Sequence, residues 1–244
     1  MDIRVTGLKT LPEVQPGDRL AELIRDAAIR EQQTVGAGTL LVVAQKIISK
    51  AEGAIVDLRT IQPSAFAQNW AAQWKKDARV IELILQQSRR IVRMERGVLI
   101  AETHHGFVTA NAGVDQSNTA GEDYATVLPA DPDASARALR AGIGCGAVII
   151  SDTFGRPWRE GLVNVAIGVS GLEALEDLRG TRDRRGHLLT ATLIARADEL
   201  AAAAGLVMPK SAGVPVALIE GYKWSHAEGS ARSLIRLPEM DLFR

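Results

Sequence analysis

Two short acidic segments have residue types suited to a metal ion and a phosphate. Asn111-Ala112-Gly113-Val114-Asp115-Gln116-Ser117-Asn118 packs small and amide residues around one carboxylate, directly after an apolar run that reads as a strand. A turn of this composition lets backbone approach a ligand while Asp115 projects toward a cation. Asn, Gly, Asp and Ser are also the ordinary turn formers, so by itself the segment reads as well as a plain turn. The second segment, Ser151-Asp152-Thr153-Phe154-Gly155-Arg156-Pro157-Trp158-Arg159-Glu160, begins where Ala147-Val148-Ile149-Ile150 stops. Ligands of α/β proteins gather outside the carboxyl ends of strands. Asp152 and the Thr153 hydroxyl are hard oxygen donors that suit Mg²⁺ or Mn²⁺, and Arg156 and Arg159 follow at a spacing able to grip phosphate oxygens. The competing reading has Asp152 capping a turn and the arginines in surface pairs. Lys46 and Lys50, just beyond Leu40-Leu41-Val42-Val43, are a third element, either phosphate ligands or an ordinary solvated strand end.

Other chemistries find less support. There is no G-x-x-x-x-G-K-[ST] loop, and Gly142-x-Gly144-x-Gly146 precedes its strand, the wrong order for a dinucleotide site. Cys145 is the only cysteine, which excludes an internal disulfide and a multi-thiolate zinc site, and its setting before an apolar run favours a packed thiol. His104-His105 invites a metal reading, but adjacent strand residues point to opposite faces, so the two rings are poorly placed to share one ion.

The elements that must position these residues follow from hydrophobic spacing. Pro16-Gly17-Asp18 precedes Leu20, Leu23, Ile24, Ala27 and Ala28, which is helical spacing with Asp18 as the cap. A helical region opens at Pro63-Ser64 and runs through Arg90, with Phe66, Trp70 and Trp74 at i, i+4, i+8 read as core packing. Strands are expected at 40–43, at 98–101 and 106–109 around the histidine pair, at 147–150, and at 164–169, 190–196 and 214–219. Asp131-Pro132-Asp133 caps a helix to Arg140, and an alanine-rich helix covers 198–207. Interspersed strands and helices give an α/β or mixed α+β class over a single domain, 1–244, with 222–244 as a polar tail or arm.

Composition bounds the rest. With 46% hydrophobic residues in 244, the chain can bury a sizeable core. Its apolar runs stop well short of the roughly 18 to 20 residues needed to cross a bilayer. The start Met1-Asp2-Ile3-Arg4-Val5 lacks the pattern of a secretory leader, so a cytoplasmic protein is expected. The 29 Lys and Arg balance 29 Asp and Glu, which leaves no global basic field for nucleic acid, so any phosphate must be bound locally.

In combination and order, several stretches resemble one family. They are Leu11-Pro12-Glu13-Val14 with Pro16-Gly17-Asp18, Gln45 to Gly53, Asn111 to Asn118, Ser151 to Asn164 with Gly168, and Arg196 to Leu200 with Val214-Pro215-Val216. The family is that of the coenzyme F420-0:L-glutamate ligases, the CofE type, also found as the N-terminal half of FbiB proteins. The resemblance implies a two-lobed fold with mixed sheets, an intertwined homodimer, and GTP-dependent amide formation between L-glutamate and the phospholactyl carboxylate of coenzyme F420-0. Further γ-linked glutamates, an acyl phosphate, and release of GDP and phosphate belong to the same expectation.

Carried over by position, Asp115 and Asp152 resemble ligands of one divalent ion, Mg²⁺ or Mn²⁺, and Thr153 a ligand of a second, with K⁺ as a further candidate. Leu11, Pro12, Glu13, Val14, Gln45, Lys46, Lys50 and Asn118 fall where the family contacts nucleotide. One departure stands out, since Met208-Pro209-Lys210-Ser211-Ala212-Gly213 lies where relatives often have glycine after the methionine and an acid soon after. Two alternatives remain at this point: ligation of another amino acid or acyl precursor, and a GTP-binding protein without turnover.

Overall fold

The computed structural model describes residues 2–117, 119 and 121–241. In chain order the elements are β1 (Arg4–Leu8), α1 (Leu20–Arg30), β2 (Leu40–Ala44), α2 (Gln45–Ala51), β3 (Ile55–Asp57), α3 (Ala65–Trp74), α4 (Ala78–Gln86), β4 (Ser88–Glu95), β5 (Val98–Thr103), β6 (Val108–Ala110), β7 (Tyr124–Thr126), α5 (Pro132–Ile143), β8 (Ala147–Arg156), β9 (Arg159–Ser170), β10 (Glu176–Asp177), β11 (Leu193–Ile194), α6 (Arg196–Gly205) and β12 (Val216–Glu220). The class is mixed α and β, as expected.

The two most apolar runs, β2 and β8, pair in parallel from Leu40↔Ala147 to Ala44↔Ser151 inside a five-stranded sheet ordered β1-β12-β2-β8-β9, whose other pairings are antiparallel. Leu40 to Val43 and Ala147 to Ile150 are fully buried, the mark of strands covered on both faces. Helix α5 packs on β8 and β9, α1 packs on α5, and α6 reaches from β1 to β9. Gly168 is required where α5 meets β9, because a Cβ there would lie 2.4 Å from the Pro132 carbonyl oxygen. A separate buried cluster gathers Leu58, Ile81, Leu83, Ile84, Leu99, Val114 and Ala125 from α4, β5 and the segments before α3 and through β7.

Several local expectations need correction. Asp18 does not cap α1; its carboxylate accepts the Gln15 N–H at 2.7 Å, and α1 begins after Arg19 without a side-chain cap. The helical region from Pro63 divides at Lys75, which is left-handed (φ 52°), and Asp77 restarts it as α4 by accepting the Arg79 N–H. Arg90 then lies in β4, and Phe66 faces solvent while Trp70 packs on the second cluster. Strand 190–196 shrinks to the two residues of β11, because its one partner, β10, is equally short. Among the described residues no helix is long and apolar enough to cross a membrane.

The residues after Gly221 strap back onto the sheet. Trp224 donates Nε1–H to the Gly171 carbonyl at 3.1 Å, and Asp133 at the start of α5 accepts the Ser230 hydroxyl and the Ala231 N–H. Ala231 is 1% exposed.

Candidate functional site

One end of the central sheet opens into a cleft of about 730 Å³. Its floor follows from the strand order. The segment after β1 supplies Leu11 to Val14, the carboxyl ends of β2 and β8 supply Ala44 and Ser151 to Thr153, β9 supplies Asn164, and residues 208–215 lead into β12. This is the carboxyl end of the parallel pair, where α/β sheets hold ligands. The pairing of β2 with β8 stops at Ala44↔Ser151, so Asp152 is the first residue of β8 beyond its parallel neighbour.

Asp152 therefore does not sit in a turn, as its sequence setting suggests. Strand β8 continues to Arg156 and returns through Pro157-Trp158 as β9. That extension carries Arg156 and Arg159 out of the cleft. Arg156 donates to the Glu160 and Gly161 carbonyls of its own hairpin, and Arg159 is exposed. Their assignment to phosphate is not supported by where they lie.

The structure brings the remaining candidates together. Gln45, Lys46 and Lys50 stand on α2, which starts directly where β2 ends, so the lysines lie on a helix and not on a strand extension. Helix α2 is tied to the second cluster, since Gln45 Nε2 and Ser49 Oγ both donate to the Val127 carbonyl, the latter at 2.6 Å. Lys50 has a side chain only 9% exposed and pairs with Glu13 of the 11–14 segment. Lys46 reaches across the cleft to Asp115 Oδ2 at 2.8 Å and to the carbonyl and hydroxyl of Ser117.

Asp115 owes its position to backbone in a rare conformation. Asn111, Ala112 and Gly113 are consecutively left-handed, with φ 55°, 51° and 75°. Such residues cost free energy and persist where the surroundings over-determine them, often at sites of function. A Cβ on Gly113 would fall 2.7 Å from Leu128. Beyond this turn Asp115 exchanges backbone hydrogen bonds with Thr126, and its carboxylate accepts the Ser117 N–H at 2.7 Å and the Ser117 hydroxyl at 3.0 Å. Asn118 lies outside the described residues.

The two acids differ electrostatically. Burial pushes the Asp115 carboxyl up, but the Lys46 ammonium and the Ser117 donors outweigh it and leave the group below its ordinary value. Burial raises Asp152, the Thr153 N–H at 2.7 Å offsets part of this, the charge of Asp115 adds to it, and Lys210 and Lys46 oppose it more weakly. Among the described residues no cation lies within ion-pair distance of Asp152. A half-buried anion beside a second anion is a place where a dication relieves unfavourable charge.

The donor set fits a hard divalent ion in part. Asp115 and Asp152 offer carboxylate oxygens and Thr153 a hydroxyl, now donating to Asn164 Oδ1 at 3.0 Å. Among the described residues no group of three or more His, Cys, Asp or Glu is placed to hold a metal. Such a site would be completed by water and phosphate oxygens, the usual condition of Mg²⁺. His104 and His105 bond separate carbonyls, those of Gln86 and Pro129, each at 2.9 Å, and play no part here. Ser117, Thr119 and Asn164 line the cleft without having been singled out by residue type. Only the register Thr153↔Asn164 brings Asn164 in, and that pairing is invisible locally.

The model of the F420-0:gamma-glutamyl ligase family matches residues 7–221. Proteins named coenzyme F420:L-glutamate ligase are similar over their full length. That of Methanothermobacter thermautotrophicus is 45% identical over 252 residues, covering 100% of both chains. That of Methanopyrus kandleri is 46% identical, covering 99% of this chain and 98% of its own. That of Haloarcula marismortui is 39% identical over 99% and 96%. The chain belongs to the F420-0:gamma-glutamyl ligase family.

Proposed function

We propose that this chain is a coenzyme F420-0:L-glutamate ligase that uses GTP to form an amide between the phospholactyl carboxylate and the amino group of L-glutamate. It then extends the product through γ-linkages. The observation that carries the reading is the coincidence of full-length similarity to ligases of that name with a cleft that holds Asp115, Asp152 and Thr153 together with three lysines at one sheet end.

The route is an acyl phosphate. A carboxylate oxygen of the precursor attacks the terminal phosphorus of GTP and GDP leaves; the glutamate amine then attacks the acyl carbon and phosphate leaves, with the amine proton passing to solvent. Such transfer is chiefly positioning and charge neutralisation, which accounts for a site built without a nucleophilic side chain.

Asp115 and Asp152 would hold one divalent ion and Thr153 would contribute to a second. Bound Mg²⁺ or Mn²⁺ supplies Lewis-acid neutralisation of phosphate charge. K⁺ is a further candidate ion of the same reading. Lys46 would exchange its partner Asp115 for phosphate oxygens, and Lys50, fixed by Glu13, would present its ammonium to the nucleotide beside Leu11 to Val14 and Gln45. The reading extends to a cytoplasmic, intertwined homodimer, for which sedimentation at micromolar concentration is the check.

Mass spectrometry of the deazaflavin precursor incubated with GTP, Mn²⁺ and L-glutamate tests the function. Addition of glutamyl units that requires all three supports it. An unchanged precursor mass with folded, GTP-binding protein would sink it in favour of binding without turnover, and addition of a different amino acid would redirect it.

A further inference from the structure

Thr153 and Asn164 face each other across the β8–β9 ladder, and the Thr153 hydroxyl donates to Asn164 Oδ1 at 3.0 Å. A hydroxyl has one proton to give and two lone pairs to offer. With the proton committed to Asn164, the lone pairs of Thr153 Oγ1 are left for the cleft that both residues line. A free hydroxyl rotates to suit its surroundings, and beside a cation it must turn its proton away. Asn164 sets that rotation in advance.

The frame around Asn164 holds its amide in one orientation. Where the ladder shifts register between Ile150 and Ser151, Asp198 of α6 accepts the Ala166 N–H at 2.8 Å, which fastens the helix to β9 close to Asn164. Gly205, the last residue of α6, then lies over the amide: a Cβ there would fall 3.2 Å from Asn164 Nδ2 and 3.4 Å from its Cγ. Gly205 is not left-handed, and it follows Ala201 to Ala204 on a helix where alanine is the better former. Local conformation therefore gives no reason for glycine; the room it leaves for the Asn164 amide does. With Nδ2 against α6, Oδ1 is turned to Thr153.

We propose that Asn164 is a positioning residue: by taking the Thr153 hydroxyl proton it aims the oxygen lone pairs into the cleft and makes Thr153 a preset, neutral ligand for a divalent ion. This role rests on the metal reading of Thr153 given under Proposed function and adds the support that such a ligand needs. Partners that orient ligating side chains account for roughly 10 to 100-fold of metal affinity. Without the acceptor the hydroxyl is free to point its proton at the ion. Gly205 contributes the space that keeps the amide in place.

Binding of Mn²⁺ alone to the full chain, read by electron paramagnetic resonance of the free ion with melting followed in parallel, tests this. The binding lost in Thr153→Val defines the ion concerned. Asn164→Leu, similar in volume but without an acceptor, should weaken that ion about tenfold or more. Asn164→Asp, which keeps an acceptor oxygen, should bind it at least as tightly as wild type. Gly205→Ala should weaken it too, although alanine favours the helix, because the amide is displaced. In the Thr153→Val background Asn164→Leu should change nothing further, since a residue that acts through Thr153 loses its effect with it. Additive weakening in that background, an aspartate variant as weak as the leucine one, or wild-type binding by a folded Asn164→Leu chain would overturn the role of Asn164. Should the leucine chain fail to fold, unweakened binding by Gly205→Ala overturns it instead. Wild-type Mn²⁺ binding by Thr153→Val would overturn the metal reading beneath it.

Discussion

Replacing Asp152 by asparagine separates the carboxylate's charge from its shape. The amide keeps an oxygen able to accept the Thr153 N–H, now at 2.7 Å, and nearly the same volume, so β8 and its register with β9 should persist. What disappears is an anion offered to a dication. Even substitution of outer residues around a metal site costs roughly 10 to 100-fold in affinity, so loss of a direct anionic ligand should cost about 100-fold or more, or about 2.7 kcal/mol. Ligation at limiting Mn²⁺ should fall at least as far. The metal-free protein should behave oppositely. Burial and the neighbouring Asp115 raise the Asp152 carboxyl, so the native state holds its proton more tightly than the unfolded chain does. The stability from this group is then present below the ordinary carboxylate range and lost as pH rises through the raised value. At neutral pH the ionised group is a burden that asparagine removes. The metal-free variant should melt at or above the wild-type temperature, and added Mn²⁺ should stabilise the wild type but not the variant. Mn²⁺ binding followed by electron paramagnetic resonance, with melting in parallel, reads both effects. A variant with wild-type Mn²⁺ affinity and turnover would refute the reasoning, as would one that unfolds well below wild type without metal.

Three further expectations concern the frame. Burial pushes the Cys145 thiol up to about 11, so the native protein at pH 8 should resist thiol reagents and react only on unfolding; stoichiometric labelling of native protein within minutes would contradict this. Gly168→Ala sets a Cβ 2.4 Å from the Pro132 carbonyl oxygen, backbone that cannot easily yield, and should cost about 1 to 3 kcal/mol in urea unfolding, where an unchanged midpoint would contradict it. Asp133 accepts the Val169 N–H at 2.8 Å and the Ala231 N–H at 3.0 Å. Asp133→Ala strands both donors and should cost roughly 2 to 5 kcal/mol, with faster hydrogen exchange at both amides. Unchanged exchange there would mean that Asp133 does not hold the C-terminal strap.

How legible all this was in the chain depended on range. The apolar runs at 40–43 and 147–150 announced the two central strands, because residues buried on both faces admit little else. Asp131 announced the start of α5, since a cap and a first-turn proline act locally. Asp115, Asp152, Thr153, Gln45, Lys46, Lys50 and Leu11 to Val14 do meet in one cleft, but their convergence was expected from resemblance to a family, not from spacing. What local patterns missed was decided by tertiary pairing. The hairpin of β8 and β9 extends past Asp152 because the strands support each other to Arg156↔Arg159, and this removed two arginines from the site. Helix α2 was read past because five apolar strand residues, Leu40 to Ala44, run straight into Gln45-Lys46-Ile47-Ile48, and short apolar runs do not distinguish strand from buried helix. The break at Lys75 carries no glycine or proline to signal it.

The most direct test of the site is a crystal structure of the protein soaked with GDP and Mn²⁺. The account predicts Mn²⁺ coordinated by Asp115 and Asp152 with Thr153 beside it, the diphosphate against Lys50, and Lys46 moved from Asp115 onto phosphate oxygen. Nucleotide bound away from the 11–14 segment and α2, or Mn²⁺ bound without either aspartate, would contradict it.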